Sequence, residues 1–205
     1  MTDLSQALAE INAIRVQVAR GTEFRGYGPA SIAASGVLAL MVASAQTWLV
    51  KDPAGNAVLF LAVWVATAAV SVALAAAETL ARARRVHSGF AAEMVQSAVE
   101  QFLPATIVGV LLGGVLLVAA PGDLWMLPGL WELIFSLGVF ASCRFLPRQM
   151  FGVGLWYLGC GLACLMIEGG SRTLSPWEMG IPFGCGQLLV AVVLRYGFEE
   201  PLEER

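Results

Sequence analysis

Charge is what this chain has least of. Only 13% of its 205 residues are Asp, Glu, Lys or Arg, against about 25% in an ordinary soluble domain. Lysine is nearly missing: eleven of the twelve basic residues are Arg, and Lys51 stands alone. The single histidine, His87, excludes a bis-histidine haem or a His-rich metal site within one chain. The four cysteines (Cys143, Cys160, Cys164 and Cys185) lie in or beside apolar stretches. They do not form the spaced framework of a disulfide-stapled secreted domain. No catalytic, cofactor or nucleotide motif stands out, so no cofactor is expected.

What fills the chain instead is apolar. The broad hydrophobic set makes up 58%, glycine adds 22 residues, and mean hydropathy is +0.75. In water, such an excess would leave large exposed apolar patches, so the expected solvent is the lipid bilayer. A helix crosses a hydrocarbon core of about 30 Å with about 20 residues. Six stretches qualify: 30–50, 57–80, 99–120, 125–142, 150–168 and 177–196. They are continuous rather than alternating, which excludes barrel strands. In lipid, only a helix satisfies such a segment's backbone internally. Short links such as Lys51-Asp52-Pro53-Ala54-Gly55-Asn56 and Pro121-Gly122-Asp123-Leu124 read as turns. The expected fold is therefore all-α: a polytopic membrane bundle of six transmembrane helices, arranged as three consecutive hairpins over 26–198. An amphipathic cytoplasmic helix within 1–25 precedes it, and an acidic tail, 199–205, follows.

Arginine sets the expected orientation. One class of flanks holds Arg15, Arg20, Arg25, Arg82, Arg84, Arg85, Arg144, Arg148, Arg195 and Arg205; the other holds only Lys51 and Arg172. The first class, with both termini, is expected in the cytosol. Trp48, Trp125, Trp131 and Trp177 suit an aromatic belt at the opposite boundary. Val42-Ala43-Ser44-Ala45 resembles a signal-peptidase site. The long patterned segment before it lacks a short basic leader, so the first span is expected to be retained.

A pattern F-L-P-x4-G-V-x-L recurs at Phe102-Leu103-Pro104 and at Phe145-Leu146-Pro147, each followed by Gly-Val-x-Leu. It is read either as a repeated two-helix unit or as convergence on common helix-start residues. Near the N-terminus, Leu4, Ala7, Leu8, Ile11, Ile14 and Val18 fall on one helical stripe. Leu4, Leu8 and Ile11 on that stripe, with Arg82, Arg84 and Arg85 between spans 2 and 3, form a candidate surface for a cytoplasmic protein partner. The ordinary alternatives are docking on the chain's own cytoplasmic ends and attraction to anionic lipid head groups. Direct nucleic-acid binding is not expected.

Glu132 is the sharpest candidate for chemistry. Seven residues past Trp125, it lies about 10 Å along its helix at 1.5 Å per residue. A charge there costs up to about 2.5–3.5 kcal/mol, so it should face the bundle or a wet cavity. Gln187, Arg172 and Ser136 are its candidate partners. Asp123, Glu168 and Glu178 join it toward an acidic outer mouth, or form a plain solvated rim. Gly159-Cys160-Gly161 and Gly184-Cys185-Gly186 reach similar depth on antiparallel spans. With Cys164 they offer either three thiols for a soft ion such as Cu(I) or small residues for close helix packing. Gly109-x3-Gly113 is likewise a packing face, within the chain or between copies as a homo-oligomer.

The segment T-E-F-R-G-Y-G-P after A-L-A-E-I-N-A-I-R, leading into an Ala/Gly-rich span, resembles a set of uncharacterised bacterial inner-membrane proteins of about this length. The resemblance covers residues 2–45 and implies a winged-helix regulator as partner class, with no catalytic or binding residues to carry over. Without convergent acid, base, nucleophile or metal ligands, the expected role is a non-enzymatic scaffold, sensor or regulatory component. The alternative is a small transporter or channel using Glu132.

Overall fold

A computed structural model describes residues 29–50, 52–53, 55–85, 89–143, 146–171 and 174–196. The N-terminal stripe with Leu4, Leu8 and Ile11 lies outside the described residues, as do Arg172 and the acidic tail. The chain forms α1 (Pro29–Leu49), α2 (Ala57–Arg85), α3 (Gly89–Ala119), a 3-10 turn (Pro121–Met126), α4 (Leu127–Ser142), α5 (Met150–Ser171) and α6 (Pro176–Tyr196). Among the described residues there are no strands. Among the described residues, six helices are long and apolar enough to cross a membrane.

Contacts along each pair show how the helices run. Gln46 near the end of α1 donates to the Phe60 carbonyl near the start of α2, at 3.4 Å. At the other end, Glu78 Oε2 accepts the Ser31 N–H at 3.0 Å. That N–H is one of the donors a helix start leaves without a partner inside the helix, and the carboxylate also meets the positive end of the helix dipole. The turn between α1 and α2 is built by Asp52, whose Oδ1 accepts from the Gly55 N–H at 3.0 Å and whose carbonyl accepts from Asn56 Nδ2 at 3.1 Å. The face of the bundle holding this turn is called the turn face below, and the opposite one the terminal face.

The most extensive packing is not inside the expected hairpins. It joins α1 to α6 and α4 to α5, followed by α3 to α4; α2 and α3 barely touch. Both of the leading pairs are made by glycine. A Cβ on Gly36 would sit 2.8 Å from the Gly184 carbonyl oxygen, and one on Gly184 would be 3.3 Å from that of Gly36. Gly129 and Gly161 repeat the arrangement between α4 and α5, at 2.9 and 2.8 Å. In lipid no hydrophobic force drives helices together, so such backbone approach and its dispersion contacts carry the association. The six helices thus close as a ring, α1–α6–α5–α4–α3 and α1–α2, with a seam between α2 and α3.

Two apolar cores fill the ring. One, toward the turn face, gathers Ala39, Ala43, Phe60, Leu61, Trp64, Leu124, Leu127, Leu174 and Met179. The other, toward the terminal face, gathers Ile32, Val139, Met150, Val153, Tyr157, Val190, Ala191 and Leu194. Outside, large apolar side chains stand bare: Val118 is 84% exposed and Met166 82%.

Several boundaries differ from expectation. The segment expected to be a tight turn at 121–124 is helical, with Pro121 opening the 3-10 turn, and α4 is a 16-residue helix behind it. Helix α3 starts at Gly89, ten residues before the expected 99, so Pro104 lies inside it. Pro147 lies in the link before α5. Gly109 is buried, whereas Gly152 meets nothing within 4 Å of a would-be Cβ. The two F-L-P copies therefore occupy unlike places, which argues against equivalent units at those positions.

Candidate functional site

On α4, Gly129, Glu132 and Ser136 share the face toward α5. The Gly129–Gly161 approach draws the two helices together there, and Glu132 is closed in at 0% exposure. Its partner is Cys164, whose Sγ lies 3.8 and 3.9 Å from the two carboxyl oxygens and donates to them. This pairing was legible only as matched depth on neighbouring antiparallel spans, and sequence reasoning missed it. Ser136 turns its hydroxyl to the Leu133 carbonyl at 2.7 Å and does not serve Glu132.

Tyr157 of α5 is also fully buried. Its hydroxyl rests on Gly186, where a Cβ would collide with it. Gln187 approaches the same hydroxyl from α6, and Cys160, Cys185 and Glu132 lie within electrostatic range. Glu178 on α6 lies within range of Glu132 and Cys164. The structure therefore places the fully buried Glu132 and Tyr157 near the half-buried Cys164, Gln187 and Glu178, one polar cluster across α4, α5 and α6. Gln187 joins it through Tyr157 rather than through Glu132.

The glycines of the paired glycine–cysteine triplets do not pack on each other, although Cys160 and Cys185 lie within electrostatic range. Gly161 serves α4, Gly184 serves α1, Gly186 seats Tyr157, and Gly159 meets nothing within 4 Å. All four cysteines are free thiols. Among the described residues, no three His, Cys, Asp or Glu side chains converge to hold a metal ion, so the three-thiol site for a soft ion is not formed. Gly109 and Gly113 work within the chain. They receive the Trp131 indole, whose Nε1 donates to the Gly109 carbonyl at 2.9 Å.

Behind α4 lies a second feature. Trp131, Ile134 and Phe135 point the other way, into a cleft of about 310 Å³ at the α2/α3 seam. Its walls include Ser35 and Ala39 of α1, Trp64 to Val72 of α2, Phe102 to Val110 of α3, and Met179, Phe183 and Gln187 of α6. The rings of Phe102, Phe135, Tyr157 and Phe183 pack edge-on or tilted with centroids 4.6 to 5.4 Å apart, and the cleft meets the polar cluster at Gln187, which belongs to both. Glu132 is not part of the cleft wall.

The side chains of Arg82, Arg84 and Arg85 lie outside the described part of the structure, but their backbone continues α2. Seven residues past Glu78, where the apolar span ends, the helix reaches about 10 Å further. Helix α3 begins eleven residues before its span, about 16 Å.

No protein-family model, curated protein or solved structure matches the chain. What the fold and cluster define among the described residues is a six-helix bundle with apolar outer faces, two apolar cores, one polar cluster around Glu132 and Tyr157, and a lateral cleft.

Proposed function

We propose that this chain is a multi-pass protein of a bacterial inner membrane, with both termini in the cytosol, working as a non-enzymatic scaffold, sensor or regulatory component. The terminal face is then cytoplasmic and the turn face external, as the arginine distribution requires. The observation that carries the reading is the projection of α2 and α3 beyond the apolar layer at the terminal face. Both helices then extend past the hydrocarbon, α2 ending in Arg82, Arg84 and Arg85 and α3 beginning at Gly89. With the stripe of Leu4, Leu8 and Ile11 read from the sequence, these arginines are the proposed contact surface for a soluble protein, a winged-helix regulator being the class that the N-terminal resemblance suggests.

The rival reading, a small transporter or channel, draws on the nearness of Glu132 and Glu178. Against it, Glu132 is fully enclosed and held by Cys164. The cleft that could admit a solute is apolar and lies on the other side of α4.

The test places a photo-reactive residue at Leu8 or Arg84 in living cells and compares deletion of residues 2–20 with replacement of the three arginines by Gln. A discrete cross-linked protein, lost in both variants while insertion persists, supports the reading. Unchanged insertion, cross-links and phenotype in both would overturn it. Ion or solute flux in reconstituted liposomes that disappears with Glu132→Gln would favour the rival.

A further inference from the structure

The seam between α2 and α3 is where the ring is incomplete, and its shape limits what can complete it. We propose that it is a lateral binding cleft for one hydrocarbon chain of a membrane lipid. This rests on the reading that the six helices lie in a bilayer.

Position comes first. The rim is formed by Val65, Val72 and Val110, which are 55%, 69% and 68% exposed on two of the most lipid-like helices. In a membrane this mouth opens sideways into hydrocarbon, so only a molecule dissolved there reaches it.

The wall chemistry agrees. Every hydroxyl around the cleft is turned back on its own helix. Thr67 donates to the Val63 carbonyl at 2.8 Å, Ser71 to Thr67 at 2.9 Å, Ser35 to Ile32 at 2.7 Å and Thr106 to Phe102 at 3.3 Å. The Trp131 indole N–H is spent on Gly109. Two polar groups remain in an otherwise apolar wall: the Trp64 indole N–H, which has no hydrogen-bond partner among the described residues, and the Gln187 amide. So little polar surface holds water poorly, and left empty the cleft forfeits dispersion contacts along its apolar lining.

Size selects the occupant. At about 30 Å³ for a water- or methylene-sized group, 310 Å³ holds roughly ten such groups. The lining spans nine residues of α2, Trp64 to Val72, and nine of α3, Phe102 to Val110. That is about 12 Å parallel to the helices, the direction in which lipid chains lie. A single extended hydrocarbon chain matches that length and direction.

The full chain is reconstituted in phosphatidylethanolamine/phosphatidylglycerol vesicles with a trace of phosphatidylcholine carrying a mid-chain diazirine, and adducts are mapped after illumination. Adducts are expected on Trp64 and Met179, only 4% and 5% exposed, as well as on the outward-facing Leu155 and Ile181. Ala68→Trp, which fills the cleft from α2, lowers the inner adducts several-fold and leaves the outer ones unchanged. Thr106→Trp fills it from α3 and serves where the first variant misfolds. Outer adducts without inner ones, or inner adducts indifferent to both fillers, overturn the cleft alone. Trp64 of one copy cross-linking to a second copy also overturns it. Absence of all adducts, with extraction of the chain by carbonate, overturns the membrane reading itself.

Discussion

Two glycines on α5, two residues apart, should respond oppositely to the same substitution. A Cβ on Gly161 would lie 2.8 Å from the Gly129 carbonyl oxygen and 3.0 Å from two atoms of Leu133. The leucine can rotate, but the carbonyl belongs to the α4 backbone and cannot. Gly161→Ala therefore pushes α4 and α5 apart by several tenths of an ångström along the second most extensive contact of the bundle. Overpacking of this kind costs about 1–3 kcal/mol. It also lengthens the 3.8 Å Cys164–Glu132 contact beyond useful reach. Gly159→Ala meets nothing within 4 Å. It removes glycine's helix penalty, so it is expected to be neutral or to stabilise by up to about 1 kcal/mol. Reversible unfolding in mixed micelles, titrated with denaturing detergent, measures both. A gap of about 2 kcal/mol or more between the two variants is expected. Equal stabilities, or a less stable Gly159→Ala, would refute the claim that the α4/α5 backbone approach holds this side of the ring.

Further outcomes follow from single contacts. Trp131→Phe keeps the ring against Gly109 and Gly113 but loses the indole hydrogen bond, for about 0.5–1.5 kcal/mol in the same titration. Glu78→Ala strips the carboxylate from the start of α1; by analogy with lost helix caps it costs about 1 kcal/mol, and faster hydrogen exchange over 30–34 should report it. Glu132→Gln preserves volume beside Cys164 and is expected to change stability by less than about 1 kcal/mol. Glu132→Lys adds a longer cation among buried neighbours and should prevent folding, because an unpaired buried charge is among the costliest substitutions.

Hydropathy read along the chain located the six helices to within a few residues at most ends, because the length of an apolar run is a one-dimensional quantity set by membrane thickness. It failed where α3 begins ahead of its apolar run. The residues 89–98, ahead of span 3, are mixed in character, and nothing in their hydropathy distinguishes a linker from the helix that the structure continues through them. It failed again at Pro121, where proline was read as a break and instead starts a 3-10 turn. The depth of Glu132 was legible and its enclosure follows from its cost, but Cys164 was not found. Depth places a residue along the helix axis and says nothing about azimuth.

Azimuth is also what hid the order of the ring. Helices that are apolar all round carry little directional signal, so neighbours along the chain are the default guess for neighbours in space. What directs the packing here is where glycine faces glycine: Gly36 against Gly184, and Gly129 against Gly161. Composition alone does not reveal this, since Gly114, Gly152 and Gly159 are equally helical and touch nothing. Once α1 is clasped to α6 and α4 to α5, α2 attaches mainly to α1 and α3 mainly to α4. The seam between them can then widen without disturbing either glycine contact. That is why the cleft belongs at this seam: it is the place in the ring where a guest can enter while both close packings stay intact.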